Sequence, residues 1–415
     1  MNELVYLSIF LIGAMTIGIV EKYRLNERVL NIPDRILVNG IRGKSTVTRL
    51  IMGVLKEDGR RVAGKTTGTS PRLFYWNESA EQPIVRSLQG PNISEQKYIA
   101  KEVADHDLDS LVTECMAVNP DYQLVFQKSF VKANLTIITN VMEDHLDAMG
   151  PTVHQIAEAF AQTIPKKGTV IIPPSNYERY FRQAAEAKGS QLVVADPDQV
   201  SEAYLEKFPY MMFAENVALG LSVADVMGID RDTALEGMLN APVDPGAMII
   251  HSFGEQNAPS MFYNGFAAND ATSTLNIWER IAGEGDINRY QAVIMNCRDD
   301  RVDRTLQFIE DVLPYIDAEE LILTGHGVKP VLTAHAEGKL PFNRVTNLEK
   351  SSADEVINHV LNLPQPALIY GIGNIHGGGE EITDAILELP LDQKQDTSSR
   401  YTASGRDVFS FRRSE

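Results

Sequence analysis

Ile36-Leu37-Val38-Asn39-Gly40-Ile41-Arg42-Gly43-Lys44-Ser45-Thr46 reads as a strand, a glycine turn and the first turn of a helix. Two glycines let the backbone curl until its N–H groups converge on an anion, and a helix starting at Lys44 adds the positive end of its dipole. In such a cradle Lys44 reaches the β- and γ-phosphates of a nucleotide and the Ser45 hydroxyl ligates Mg²⁺. Asn39, Gly40, Ile41, Arg42, Gly43, Lys44, Ser45 and Thr46 are therefore the candidate ATP-binding residues.

A second stretch competes. Gly59-Arg60-Arg61-Val62-Ala63-Gly64-Lys65-Thr66 satisfies the full G-x-x-x-x-G-K-[ST] string, whereas the Gly40 stretch is the shorter G-x-x-G-K-S. Context favours Gly40. Apolar residues at 47, 50, 51, 54 and 55 have the spacing of an amphipathic helix, and Gly59 stands where that helix would end. Arg61 to Lys65 is then the next strand, and Thr66-Thr67-Gly68-Thr69-Ser70-Pro71 has no apolar period with which to begin a helix.

A length of 415 residues allows two or three domains, and 44% hydrophobic with 23% charged residues is a globular balance. With Cys115 and Cys297 alone, a disulfide framework is not expected and the compartment is a reducing one. A net charge of −18 without a Lys/Arg-rich run excludes nucleic acid as a partner. That surface would also repel a polyanion everywhere except at local basic sites.

Leu4 to Val20 is 17 residues without a charge, enough for one short membrane span. The cations Lys22, Arg24 and Arg28 follow the apolar run rather than precede it, which argues against a cleaved leader. They place the remainder of the chain in the cytoplasm by the positive-inside rule. The other reading of the segment is a buried or interfacial helix. From Arg35 to about Met248, short apolar runs alternate with amphipathic segments, the pattern of a parallel α/β sheet covered by helices on both faces. Expected strands are Ile36 to Asn39, Arg61 to Lys65, Ser110 to Glu114, Leu135 to Asn140, Thr169 to Ile172 and Gln191 to Ala195. The Pro/Gly cluster Ala241-Pro242-Val243-Asp244-Pro245-Gly246 marks a boundary, and a smaller Rossmann-like α/β unit follows with apolar runs at Ala292 to Met295, Leu321 to Thr324 and Ala367 to Tyr370. The expected divisions are 1–24 membrane anchor, 30–247 ATP-binding domain, 248–390 C-terminal domain and 391–415 a loosely held tail.

Ligands of an open parallel sheet sit at the carboxyl ends of its strands. Glu114 ends one run and is the acidic partner to Ser45 on Mg²⁺, while Asn140 and then Glu143-Asp144-His145 follow another. His145 is a second-metal ligand, a group that positions the γ-phosphate, or a cap of the helix starting near Thr152. A switch GTPase is disfavoured: Asp147-Ala148-Met149-Gly150 and Asp225-Val226-Met227-Gly228 both fit D-x-x-G, and N-K-x-D is absent. A kinase of a small acid, and a nucleotide-binding membrane subunit without catalysis, remain as alternatives to a ligase.

Val38 to Thr46 resembles the G-x-x-G-K-[ST]-[ST] loop of the Mur ligases and folylpolyglutamate synthases, and Thr139 to Asp147 resembles their T-N-x-x-x-D-H-x-D segment. Thr69-Ser70-Pro71-Arg72-Leu73 is similar to the T-S-P-H-L loop of the folate enzymes. Asn39 to Thr48, Gly64 to Thr69, Glu114 to Tyr122, Asn264 to Trp278 and Asn296 to Thr305 resemble, within that superfamily, the ATP-dependent ligase subunits of capsular poly-γ-glutamate synthases. The resemblance implies a carboxylate activated by ATP as an acyl phosphate and captured by the amine of glutamate, giving ADP, phosphate and an amide. It implies that Lys44 neutralises the migrating phosphoryl group, that Ser45 and Glu114 hold Mg²⁺, that His145 serves a second metal or the acyl phosphate, and that Asn216 lies at the adenine. Asn264, in Asn264-Gly265-Phe266-Ala267-Ala268-Asn269-Asp270, takes the ribose position, where the family has aspartate. Cys297-Arg298-Asp299-Asp300-Arg301-Val302-Asp303-Arg304 stands at the family's G-D-R-D-R loop, and Arg298 and Arg301 there suit capture of substrate carboxylates. The other reading of this cluster is a salt-bridge network capping a helix. Glutamate, poly-γ-glutamate and small membrane subunits are the implied partners, with homo-oligomerisation left open.

The chain departs from the family in two further places. Fewer than 40 residues precede the loop, where Mur ligases have a UDP-sugar domain, and Ala161 falls near the lysine that those ligases carbamylate. A peptidoglycan nucleotide is therefore not the expected substrate, and the expected active site is a cleft between the two α/β domains. Gly371-Ile372-Gly373-Asn374-Ile375-His376-Gly377 misses G-x-G-x-x-G at its last position and reads as a strand-to-helix turn.

Overall fold

Val47, Leu50, Ile51, Val54 and Leu55 all have zero exposure, so the i, i+3, i+4 spacing does form one buried stripe along a helix, Lys44–Glu57. Asp58 caps its end, and Gly59 follows in the left-handed region at φ 80°, the conformation that stops a helix cleanly. The computed structural model describes residues 2–67, 71–78, 80–84, 93–104, 106–143, 146–244, 248–266, 268, 271–284 and 289–392. It divides into two units, Met1–Ala247 and Met248–Glu415.

In the first unit the helices α1 (Asn2–Leu30), α2 (Lys44–Glu57) and α3 (Ile93–Ala104) accompany the strands β1 (Asp34–Asn39), β2 (Val62–Lys65), β3 (Arg72–Tyr75), β4 (Gln82–Pro83), β5 (Ser110–Glu114), β6 (Leu135–Ile138), β7 (Thr169–Ile172) and β8 (Gln191–Val194). Among the described residues these strands form one sheet in the order β4-β3-β2-β5-β1-β6-β7-β8. From β2 to β8 the pairs are parallel, while β3 and β4 add an antiparallel edge. Strand β1 lies between β5 and β6, so the chain leaves it in opposite directions on its two sides, and the crevice beyond its carboxyl end is the switch point where such sheets bind ligands.

Three strands are shorter than the apolar runs predict, β8 by the single residue Ala195. β6 stops at Ile138 because Thr139 and Asn140 turn to hydrogen-bond the Gly40 loop. β2 starts at Val62 because the Arg61 amide donates to Asp109 Oδ2 at 2.9 Å.

Helix α1 is apolar and long enough to cross a membrane, and its side chains from Val5 to Val20 are exposed. It reaches the body of the unit near its lower end, where Val29 is buried and Glu21 pairs with Lys97 of α3 at 3.3 Å.

The second unit contains β9 (Ile250–Glu255), β10 (Ser260–Asn264), β11 (Tyr290–Cys297), β12 (Glu320–Gly325), β13 (Arg344–Asn347), β14 (Ala367–Gly373) and β15 (Leu391–Asp392), in the order β13-β12-β11-β14-β10-β9-β15. β10 to β13 with β14 form the parallel part, and β9 runs antiparallel to β10. Phe253, Phe262, Phe266, Ile294, Ile322 and Ile369 form its core with the helices Ala353–Leu361 and Gly379–Leu387. Leu391 and Asp392, assigned by sequence to the loose tail, instead pair in parallel with Gly254 and Glu255. Residues 393–415 lie outside the described residues.

Candidate active site

The loop Gly40 to Gly43 joins β1 to α2 at the switch point, and its shape is set by its neighbours. Gly40 has φ 126°, and a Cβ there would lie 2.2 Å from Thr139 Oγ1, so only glycine fits. Gly43 has φ 78° at the N-cap, and a Cβ there would lie 3.0 Å from Asn216 Oδ1. Asn216, on the first turn of the helix Ala214–Met227, therefore stands against the loop. The amides of Lys44, Ser45 and Thr46 form the first turn of α2, the end of a helix at which anions bind.

The asparagines act on the loop itself. The amides of Ile41 and Arg42 donate to Asn140 Oδ1 at 3.2 and 2.9 Å, and Asn140 Nδ2 donates to Arg42 O at 3.1 Å. Thr139 Oγ1 donates to the same carbonyl at 2.6 Å. Asn39 is buried, takes the Gly40 amide on Oδ1 at 2.9 Å and donates from Nδ2 to Gln123 Oε1 at 2.9 Å. Both residues are named by sequence as nucleotide contacts, and both hold the cradle in shape from behind. Lys44 Nζ donates to Ile41 O at 2.8 Å, which folds the lysine over the loop.

Glu114 ends β5 beside β1 and is buried at 3% exposure. Its Oε2 accepts from Ser45 Oγ at 2.8 Å and from the Thr67 amide at 2.8 Å. A hydroxyl and a carboxylate, both oxygen donors, thus meet at the start of α2. Thr67 is a partner that sequence reasoning missed, because it contributes through its backbone. Adjacent Cys115 is buried and its thiol is pushed up to about 11 by that burial, which removes it as a nucleophile.

The competing Gly64-Lys65 pair is inside β2. A Cβ on Gly64 would strike the Phe74 ring at 2.1 Å, and Lys65 is buried with Nζ 5.5 Å from the centre of the Phe126 ring. His145, Asp144, Thr69 and Ser70 lie outside the described residues. The helix expected near Thr152 is Val153–Gln162, and Thr152 itself caps it by accepting from the Gln155 amide.

In the second unit the polar groups gather at the carboxyl ends of β11 and β14. Asn296 Nδ2 donates to Asn374 O at 2.6 Å, and Asn374 Nδ2 returns to Asn296 O at 3.2 Å, which locks the two strand ends together. Arg298 forks onto Asp300 through Nε and Nη2 at 2.8 and 2.7 Å, so for this residue the salt-bridge reading holds. Arg301 is exposed at the N-cap of the helix Val302–Asp311. Arg304, one turn on, donates to Asn374 Oδ1 at 2.9 Å. Burial, then the nearby charge of Arg301 and more weakly that of Arg298, lowers its pKa against the pull of Asp303, so three guanidinium groups crowd one strand end. Asn264 ends β10, and its Oδ1 accepts from the Phe266 amide at 3.3 Å.

A phosphate loop at a switch point followed by a second α/β unit is the fold of the Mur ligases. Residues 38–219 match the Mur ligase middle domain. A MurF structure from Acinetobacter baumannii superposes with a TM-score of 0.60 at 15% identity, covering 90% of this chain and 80% of that one. A bifunctional folylpolyglutamate synthase/dihydrofolate synthase with Mn, AMPPNP and L-glutamate bound gives a TM-score of 0.60 at 14% identity, covering 88% of this chain and 93% of that one.

Residues 250–389 match the C-terminal domain of poly-gamma-glutamate synthase CapB. The chain is 48% identical to PGA synthase CapB of Bacillus subtilis (strain 168) over 91% of its length and 96% of that protein's. It is equally 48% identical to the capsule biosynthesis protein CapB of Bacillus anthracis, over 93% of this chain and 84% of that protein. The chain belongs to the CapB family of poly-γ-glutamate synthases.

Proposed function

We propose that the chain is the ATP-dependent amide ligase of poly-γ-glutamate synthesis, with L- or D-glutamate or the growing polymer as its acid. The observation that carries the proposal is the meeting of Ser45 and Glu114 at the start of α2, where the Gly40 to Gly43 loop passes into the helix, in a chain 48% identical to a PGA synthase. ATP lies on the Gly40 to Gly43 turn, its phosphates on the amides of Lys44, Ser45 and Thr46, with Asn216 on its adenine side. Ser45 and Glu114 offer oxygen donors only, which suits Mg²⁺, an ion that keeps most of its own waters. Among the described residues there is no group of three or more His, Cys, Asp or Glu placed to hold a metal; Asp144 and His145 lie outside them. Bound there, Mg²⁺ supplies charge neutralisation on the phosphate oxygens. By resemblance, His145 serves a second metal or the acyl phosphate.

The chemistry then balances as two displacements. A carboxylate oxygen of the acid attacks the γ-phosphorus and ADP leaves, while Lys44 swings from Ile41 O to the transferring oxygens. The amine of an incoming glutamate attacks the acyl carbon, sheds a proton, and phosphate leaves with the C–O bond electrons. By resemblance, Arg298 and Arg301 take the carboxylates of one glutamate; the Arg298 fork must then leave Asp300, while Arg304 stays on Asn374. Helix α1 anchors the chain with both α/β units in the cytoplasm, alongside small membrane subunits that take up the polymer.

Hydroxylamine tests the acyl phosphate directly. Full-length protein with ATP, Mg²⁺, glutamate and hydroxylamine forms a γ-hydroxamate and ADP. A phosphorylated small molecule as stable end product makes the protein a kinase. Absence of both products in an assembly that makes polymer makes it a non-catalytic subunit.

A further inference from the structure

The protein carries a net charge of −18, and its proposed product carries one carboxylate per residue. Enzyme and polymer therefore repel each other unless the surface has a cationic track. One cavity of the first unit has that character. It measures about 980 Å³ and is lined by Lys128, Lys132, Lys166 and Lys188, with Glu158 the one carboxylate among its lining residues. Glu158 is turned to His154, 3.6 Å away. The floor between the lysines is apolar, with Leu124, Ile164 and Pro165 among it.

Among the described residues no ion pair joins these lysines to an acid, and both Lys188 and Lys132 feel other cations. Lys188 Nζ donates to the carbonyls of Ala161, Gln162 and Ile164 at 2.8, 2.8 and 2.9 Å, which fixes a positive charge at the end of the helix Val153–Gln162. Burial, then Lys128 and Lys166, push its pKa down to about 8. Burial, then Arg35 and Lys22, lower that of Lys132. Such an arrangement is unfavourable in isolation, and a bound polyanion relieves it.

Its place in the fold gives it a direction. Lys132 shortly precedes β6, Lys166 precedes β7 and Lys188 precedes β8, so the groove lies at the amino ends of strands whose carboxyl ends face the phosphate loop. Four residues of β6 separate the two ends by about 13 Å. Lys22, whose charge reaches Lys132, is on α1 just below its apolar stretch. We infer that this lysine groove binds the grown poly-γ-glutamate chain, leading it from the ligase toward the anchor helix. The inference rests on the ligase reading for the identity of the polyanion. Cations set at intervals along an apolar floor suit an extended chain with carboxylates at intervals.

The test uses the full-length chain in nanodiscs and a fluorescein-labelled γ-glutamate oligomer, without ATP, read by anisotropy. The triple variant Lys128→Gln/Lys132→Gln/Lys166→Gln spares the structural Lys188. It is expected to bind the oligomer about tenfold or more weakly, with a shallower dependence on salt between about 50 and 200 mM. Its hydroxamate formation from free glutamate stays unchanged. Lys166→Glu alone, at an exposed position, shifts binding in the same direction and covers any folding defect of the triple variant. Wild-type affinity in these variants, or no oligomer binding by the wild type, overturns the inference. So does a triple variant that keeps the oligomer but loses a preference for phosphatidylglycerol over phosphatidylcholine nanodiscs, because the lysines then face lipid. Failure of the ligase reading appears elsewhere, as missing hydroxamate and ADP.

Discussion

Asn140→Ala removes three hydrogen bonds from the loop between β1 and α2 while leaving every loop residue in place. A hydrogen bond contributes about 1 kcal/mol net, and the 3.2 Å bond to the Ile41 amide less than that. Thr139 Oγ1 still serves Arg42 O at 2.6 Å, so that carbonyl is not stranded. The curled loop is then destabilised by about 2–2.5 kcal/mol, a factor of about 30–70 in its population. If ATP binds only the curled form and the wild-type loop is near balance between curled and open, its dissociation constant rises by roughly 15–35-fold, about half that factor, because apparent affinity scales with the competent fraction. Isothermal titration of the full-length chain with a non-hydrolysable ATP analogue and Mg²⁺ measures it directly. Asn140→Asp sharpens the result: it keeps the acceptor for both amides but brings a negative charge toward the phosphates, so it binds the analogue more weakly than the alanine variant. A folded Asn140→Ala protein with affinity within about threefold of wild type would refute the idea that this side chain holds the cradle.

Lys44→Ala abolishes ATP turnover, whereas Lys65→Ala, which empties a buried strand position over Phe126, lowers the melting temperature but keeps a measurable rate of ADP release; equal loss of rate in both would show that the wrong loop was chosen. Glu114→Gln keeps a partner for Ser45 but loses the charge, so the Mg²⁺ concentration for half-maximal ADP release rises by tenfold or more, and an unchanged titration would remove Glu114 from the metal. In the second unit Glu320 is buried; burial alone would raise its pKa, but hydrogen bonds from Thr346, His359 and Tyr290 outweigh it and lower it below the ordinary value of 4.5. A depressed carboxylate stabilises the fold above its unfolded pKa and loses that contribution as pH falls through the folded one, so Glu320→Gln melts lower than wild type at pH 7 and the gap closes below about pH 4.

Much of the fold was legible because a parallel sheet buries its strands on both faces. Ser110–Glu114 and Thr169–Ile172 form over the expected residues, since continuous apolar runs leave little choice. β9 and β10 carry no such signal: they mix buried with half-buried side chains and pair antiparallel across a short turn. At the site, the strand-end rule brought Ser45 and Glu114 together across 69 positions. It could not reveal that Asn39 and Asn140 face inward to the loop, because a side chain aimed at a nucleotide and one aimed at the backbone around it leave the same letters. Nor could it single out Arg304, whose partner Asn374 lies 70 residues away.

Helix α1 runs unbroken to Leu30 and β1 begins at Asp34, which leaves only three residues between them. Fully stretched, they span about 10 Å. With the helix in a bilayer, the first sheet could not wander on a tether: it would ride at nearly constant height under the lipid.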